Sequence, residues 1–157
     1  MTNSTLMNER RTIHDLEARE DGTPWLDVKA LARLEATSED SRYPIESVFE
    51  EHGQGWRAVE VGEQAIRLIF DEPQRIKRIR LCFQEPDTEF TLHWSTDYTP
   101  TPRPLVRQQW DFSPPGSVMQ IEEYEVDLNG VRMLQLVVSP EIKRGPAIAT
   151  LVSWHLA

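Results

Sequence analysis

The sequence predicts an all-β chain, folded as an antiparallel β-sandwich of jelly-roll type, and three observations carry that prediction. Alternating apolar and polar residues recur in short runs spaced by about ten residues. These runs are rich in Val, Ile, Thr and aromatic residues, as in Gln64–Asp71 and Glu89–Ser95. Between them stand Pro, Gly, Asp and Asn, as in Glu72-Pro73, Glu85-Pro86-Asp87 and Pro114-Pro115-Gly116, with no intervening helical period.

Taken in order, residues 1–24 form a polar arm that is disordered or partly helical over Asn8–Glu20, and residues 25–157 form the sandwich domain. Lys29–Thr37 is the first strand, anchored by Leu31 and Leu34, and Ser38-Glu39-Asp40-Ser41 ends it. Arg42–Arg57, holding Pro44, Gly53 and Gly55, is a long irregular stretch of the kind that often carries function. Gln64–Asp71 then sets Ile66, Leu68 and Phe70 on one face, and Arg75–Gln84 sets Ile79, Leu81 and Phe83 inward with Arg78 and Arg80 outward. Glu89–Ser95 places Trp94 inward and His93 outward. Further strands are read over Leu105–Phe112, Val118–Leu128, Val131–Ser139 and Ala147–Leu156, with Gly145-Pro146 as a turn and Asn129-Gly130 as the strongest hairpin signal.

Composition narrows the partners. The 157 residues carry 26 acidic against 17 basic side chains, a net charge of −9, so nucleic acid and anionic membranes would both repel the chain. Arg67, Lys77, Arg78 and Arg80 are matched by Glu122, Glu123, Glu125 and Asp127 on a later strand, which reads as charge pairing on outer faces. A hydrophobic fraction of 39% supports a real core. The single cysteine, Cys82, excludes an internal disulfide and a multi-cysteine zinc site, and its strand setting reads as packing. The first twenty residues lack the apolar run of a signal peptide, so a cytoplasmic location is expected. No G-x-S-x-G, H-E-x-x-H or phosphate-loop motif is present, and histidines at 14, 52, 93 and 155 are not spaced as metal pairs. No catalytic residue, metal or cofactor is assigned.

The order of segments resembles the galactose-binding-like jelly rolls, the discoidin or coagulation-factor C-type domains and their carbohydrate-binding-module relatives. The resemblance runs from about Ala30 to Leu156. It is carried by Ser41-Arg42-Tyr43-Pro44-Ile45-Glu46-Ser47-Val48-Phe49, by Gly55-Trp56-Arg57-Ala58, by Gln64–Pro73, by Phe90-Thr91-Leu92-His93-Trp94-Ser95 and by Val131–Val138. Val106-Arg107-Gln108-Gln109-Trp110-Asp111-Phe112 is similar to small bacterial proteins loosely described as carbohydrate-binding. Two departures stand out. The cysteine pair that closes many secreted relatives is missing, and the Asp-Gly-rich calcium loop of many sugar binders is replaced by Glu50-Glu51-His52-Gly53-Gln54-Gly55. Acids and glycines remain there and would supply some of the oxygens calcium needs, but not the family pattern.

The resemblance implies a non-catalytic binding module, with a carbohydrate or similar small polar ligand at the loop end of the sandwich. A cytosolic protein-interaction or adaptor domain is the alternative, because this fold hosts many functions. The ligand-site residues read from the loop are Tyr43, Glu46, His52, Trp56 and Arg57, joined by Arg107 from the later strand. Trp56 is either a stacking platform or a core plug, and the family position of this tryptophan favours the plug. Arg57 and His52 suit adjacent hydroxyls, as a donor fork and a donor–acceptor ring. Glu46 is read equally as an acceptor for loop N–H groups. Arg107, Gln109 and Asp111 share a strand face, as a hydroxyl-reading row or a cross-strand polar ladder.

Overall fold

The computed structural model describes residues 24–84, 88–97, 119–140 and 147–157, together with the backbone at 103–104 and 108–111. A helical turn, Val28–Leu31, leads into β1 (Ala32–Ala36). A 3-10 turn (Ile45–Phe49) precedes β2 (Trp56–Val61) and β3 (Gln64–Phe83). There follow β4 (Glu89–Ser95), β5 (Arg103–Pro104), β6 (Gln108–Asp111), β7 (Gln120–Ser139), β8 (Ile148–Leu151) and β9 (Ser153–Leu156).

The two twenty-residue strands, β3 and β7, organise everything else. They pair antiparallel from Gln64↔Val138 to Phe83↔Gln120, with register shifts between Ile69 and Arg78. On one side of these shifts, β1 pairs with β3 and β4 with β7, giving a first arm ordered β1-β3-β7-β4-β5. On the other side, β9 pairs with β3 and β6 with β7, giving a second arm ordered β9-β3-β7-β6. Strands that change sheet at bulges are how such sandwiches turn their corners. A small separate sheet pairs β2 with β8.

Each arm turns its apolar face to the same core. Ile66, Leu68, Phe70, Leu134 and Leu136 come from the first, and Ile79, Leu81, Phe83, Tyr124 and Trp154 from the second. Phe90 of the first arm meets Phe83 and Tyr124 of the second at ring-centroid distances of 4.9 and 6.2 Å. Among the described residues no helix is long and apolar enough to cross a membrane.

Several local expectations need correction. Asn129-Gly130 is not a hairpin turn. Val118–Leu128 and Val131–Ser139 do not pair with each other, because β7 continues through both and each half pairs with β3. Gly130, at φ 69°, supplies the left-handed backbone for a bend instead. Pro73, which lacks an N–H, sits in the facing irregular stretch of β3, so Glu72-Pro73 also bends a strand rather than ending it. Lys29–Thr37 is only a strand from Ala32, since Asp27 carbonyl oxygen accepts the Ala30 and Leu31 N–H groups (both 3.1 Å) and buried Val28 pins the turn. Nothing β-branched follows Val28 to oppose it. Ala147–Leu156 divides at Val152, whose N–H reaches Cys82 oxygen (2.8 Å), into strands of two different sheets. The arm at 1–23 and the Gly145-Pro146 turn lie outside the described residues.

The outer-face charges bear out the sequence pairing only in part. Arg67 turns to Gln135 and Glu35 on the first arm, while on the second Asp127 goes to Arg75 instead, at 3.1 Å, and Arg78 bonds Glu123 as expected. Beside them His155 lies opposite Arg80 and stacks on Trp25, with centroids 5.3 Å apart. Burial first, and the Arg80 charge second, push the His155 pKa down to about 4. An unfolded histidine titrates near 6.5, so between these values the unfolded chain binds a proton that the folded one refuses. Acid therefore removes stability, and the His155 contribution lost from about pH 7 to about pH 5.5 is about 1 kcal/mol. Urea unfolding at both pH values should show this loss shrinking in His155→Gln. An identical pH dependence in the variant would contradict the assignment.

Candidate functional site

The long stretch between β1 and β2 is a packed lid rather than an open loop. Its first residues are tied to the sheet: Thr37 and Ser38 hydroxyls both donate to Gln64 Oε1 (2.6 and 2.9 Å). Ser38 Oγ accepts from the Val59 N–H (3.2 Å), and Trp56 Nε1 donates to Ser38 oxygen (3.0 Å). Glu39 carboxylate caps the 3-10 turn by accepting the Ile45 N–H at 2.7 Å. Ile45, Val48 and Trp56 are all buried beneath this segment, and Phe49 lies 6.0 Å from the Trp154 ring.

Two glycines let the return limb settle this closely. Gly55 has φ 86°, and a Cβ there would stand 2.7 Å from Leu151 oxygen. At Gly53 a Cβ would be only 2.1 Å from Ser47 oxygen. Both contacts are with backbone, which cannot swing aside.

Trp56 is therefore corrected as a ligand platform. At 1% exposure its ring shows no face to solvent, and its N–H is spent on Ser38. The large apolar ring closes the end of the core, which is where burial stabilises it most. Glu46 is exposed on the 3-10 turn with no partner among the described residues, and the role of accepting loop N–H groups falls to Glu39 instead. His52, its side chain 89% exposed, approaches Glu51 at 4.0 Å and no other charged group among the described residues. Arg107 lies outside the described residues, as do the side chains of Gln109 and Asp111.

What the lid does bring together is Asp40, Arg42, Tyr43 and Arg57. An antiparallel bridge joins Asp40 to Tyr43, whose backbone oxygen accepts the Arg57 N–H (3.2 Å) while the Asp40 N–H donates to Arg57 oxygen (2.8 Å). Asp40 takes both the Arg42 backbone N–H (2.9 Å) and its guanidinium (3.2 and 2.9 Å). These bonds, with the Arg42 and Arg57 charges, hold the Asp40 carboxyl below the usual range despite a small opposing desolvation. The Arg42 guanidinium lies 5.7 Å from the half-buried Tyr43 ring. The Arg57 guanidinium and Tyr43 hydroxyl make no hydrogen bond among the described residues. Both groups are thus available to a ligand at one rim of the sandwich.

Asp40 and Arg42 were not singled out from sequence, although an aspartate accepting the N–H two residues ahead is a recognisable turn device. A second exposed group, Lys29 with Glu50 (3.1 Å) and Glu51 with His52, flanks the 3-10 turn. Among the described residues no three His, Cys, Asp or Glu side chains converge as a metal site would require.

No protein-family model matches the chain, and no curated protein matches it. Solved structures do. A carbohydrate-binding module, CBM32-3 of a family 31 glycoside hydrolase from Clostridium perfringens, aligns with a TM-score of 0.62 at 14% identity, over 84% of this chain and 93% of its own. The family 32 module of C. perfringens NanJ, solved with galactose, aligns at 0.60 and 10% identity, over 84% and 96%. A chain from the complex of reduced XRCC1 with the DNA pol beta catalytic domain aligns at 0.56 and 14% identity, over 81% and 97%. These likenesses establish the fold: the chain has the jelly-roll β-sandwich architecture of these modules.

Burial assigns Trp56 to stability. Trp56→Ala should cost about 3–5 kcal/mol in chemical unfolding, whereas Trp56→Phe, which keeps most of the ring, should cost about 1–2 kcal/mol. A near-native midpoint for Trp56→Ala would contradict the plug.

Proposed function

We propose that the protein is a non-catalytic binding module that holds a carbohydrate at the loop end of its sandwich. The observation that carries this reading is the Asp40–Arg42–Tyr43–Arg57 cluster, in which the backbone holds the Tyr43 hydroxyl and the Arg57 guanidinium, both without hydrogen bonds among the described residues, beside a tightly bonded Asp40–Arg42 pair. Tyr43 offers a ring to the C–H face of a sugar, and Arg57 a planar donor fork to neighbouring hydroxyls. Asp40, held charged by Arg42, offers acceptor oxygens to hydroxyls. Glu46 and His52, on the exposed side of the same lid, would widen the contact for a longer ligand. The fold's occurrence in carbohydrate-binding modules, one of them solved with galactose, supports the ligand class. Binding to one sugar would be weak, since a few hydrogen bonds and one half-exposed ring must offset the cost of association.

A second reading, a protein-interaction module in the cytoplasm, is favoured by one observation. The same fold occurs in a complex between XRCC1 and the DNA pol beta catalytic domain.

Affinity electrophoresis through gels containing single polysaccharides, followed by calorimetry with the retarding sugar, separates the two. Retardation by at least one polysaccharide is expected. Tyr43→Ala and Arg57→Ala should each weaken it by about five- to tenfold with the unfolding midpoint unchanged. Unaltered binding in both variants would move the ligand away from this rim, and no retardation at all would favour the interaction module.

A further inference from the structure

The outer face of the first arm carries a second polar surface, on strands the loop-end cluster does not use. Cross-strand register aligns Glu35, Arg67, Gln135 and His93 in one row over β1, β3, β7 and β4. Adjacent strands lie about 4.8 Å apart, so the row is about 14 Å long. That is the reach of a short linear chain rather than one ring. Beside it a groove of about 490 Å³ opens among Arg33, Glu35, Arg67, Ile69, Asp71 and Met133. Along β1 the groove comes before the lid, and it opens towards the bend after Asp71, at the far end of the β1–β3 pair.

The groups around the groove are positioned by one another but not used up. Arg67 donates from Nε and Nη2 to Gln135 Oε1 (3.2 and 2.8 Å), which fixes its plane, and its Nη1 stands 3.9 Å from Glu35. Arg33 Nε lies 3.4 Å from the other Glu35 oxygen, yet the Arg33 side chain is 69% exposed. Among the described residues, the Arg33 terminal nitrogens, the Gln135 amide nitrogen and the Asp71 carboxylate have no hydrogen-bond partner. In the same row the Nδ1 of His93 is buried and has no partner among the described residues. A ladder that served only the sheet would turn its donors and acceptors onto each other. Here they share the lining of a hollow with the apolar Ile69, Phe70 and Met133.

We propose that this groove is a second binding site, for an extended, neutral, hydroxyl-rich chain: a linear oligosaccharide running across the strands. Two guanidinium groups are balanced by two carboxylates, so no net charge favours an anion, and Glu35 and Asp71 would repel an acidic sugar. Donors, acceptors and a mixed amide match hydroxyls, which both give and accept hydrogen bonds. The apolar part of the lining takes the C–H face of a ring. The inference rests on the carbohydrate reading for its ligand class, and stands apart from it in location.

The test is a 15N–1H titration of the full chain with neutral gluco-, galacto-, manno- and xylo-hexasaccharides, the matching monosaccharides and an acidic uronic hexasaccharide. At least one neutral hexasaccharide should shift the amides of residues 33–35, 67–71 and 133–135, while its monosaccharide shifts them far less. Arg33→Ala, at an exposed position, and Arg67→Gln should each weaken that response, together by about tenfold. Arg57→Ala should leave it intact. Shifts confined to residues 38–57 would overturn the groove and leave the loop-end site standing. Shifts nowhere would overturn both, and a preference for the uronic chain or for the monosaccharide would overturn the ligand proposed here.

Discussion

The pairing of β3 with β7 is the constraint on which the rest of the structure depends. Each strand is twenty residues long, and each contributes to both arms of the fold. A pair of that length cannot stay flat and still enclose a core. It turns where Phe70-Asp71-Glu72-Pro73 stand opposite Arg132 and, just beyond, Asn129-Gly130 stand opposite Arg75, and the loss of register there lets one hydrogen-bonded ribbon become two facing sheets. The edge strands β1, β4, β6 and β9 add to an arm whose direction β3 and β7 already set. The contact of Phe90 with Phe83 and Tyr124 is a consequence of the turn, because it joins residues of opposite arms.

That arrangement leaves one end of the core to be closed by the chain between β1 and β2. Closure is achieved with Ile45, Val48 and Trp56 beneath and with backbone packed directly on backbone at Gly53 and Gly55. A lid built this way has little freedom, so the polar groups on its upper side are presented on a fixed base. Asp40, bonded three times to Arg42, holds the first limb, and backbone bonds from Asp40 and Tyr43 to Arg57 hold the second. Rigidity of this kind lowers the ordering cost of a ligand contact, which is where weak binding modules lose most.

The sequence reads well where a residue's role follows from its neighbours along the chain. Alternation in Gln64–Phe70 marks the buried face of β3, and the acid at 123 does find the arginine at 78. It reads poorly where the role follows from the opposite strand. Asn129-Gly130 has the local chemistry of a hairpin turn. A left-handed glycine serves a bend equally well, and only the continuous partner β3 decides between them. Trp56 is legible through its place in the order of segments, which favours a core plug, and less so from its neighbours alone. An aromatic in a loop next to Arg57 serves as a platform by local rules, yet its ring is buried in the core together with Ile45 and Val48. Asp40 and Arg42 carry no distinctive signal in the sequence, because short-range turn chemistry looks ordinary in a stretch expected to be irregular. The groove on the first arm has no linear signature at all, since Arg33, Ile69 and Met133 meet only through the register of three strands.

The two outer faces, built from the same pair of long strands, differ in a way that decides which is available to a ligand. On the second arm the polar row is sealed: Arg80 is 8% exposed, Glu123 bonds Arg78, and Trp25 lies over His155. Charges sequestered there must satisfy one another, and a ligand would have to displace bonds already formed at low dielectric. On the first arm the corresponding residues lie near water. Arg33, Glu35 and Arg67 are each well exposed, their mutual contacts at 3.4 and 3.9 Å are long for ion pairs, and solvent screening leaves those contacts worth little. Loose pairs of this sort are readily exchanged for hydrogen bonds to hydroxyls, whereas tight buried ones are not. The same alternation that packs the core thus yields one face fit for holding the sandwich together and one whose polar groups remain free to be spent on something else.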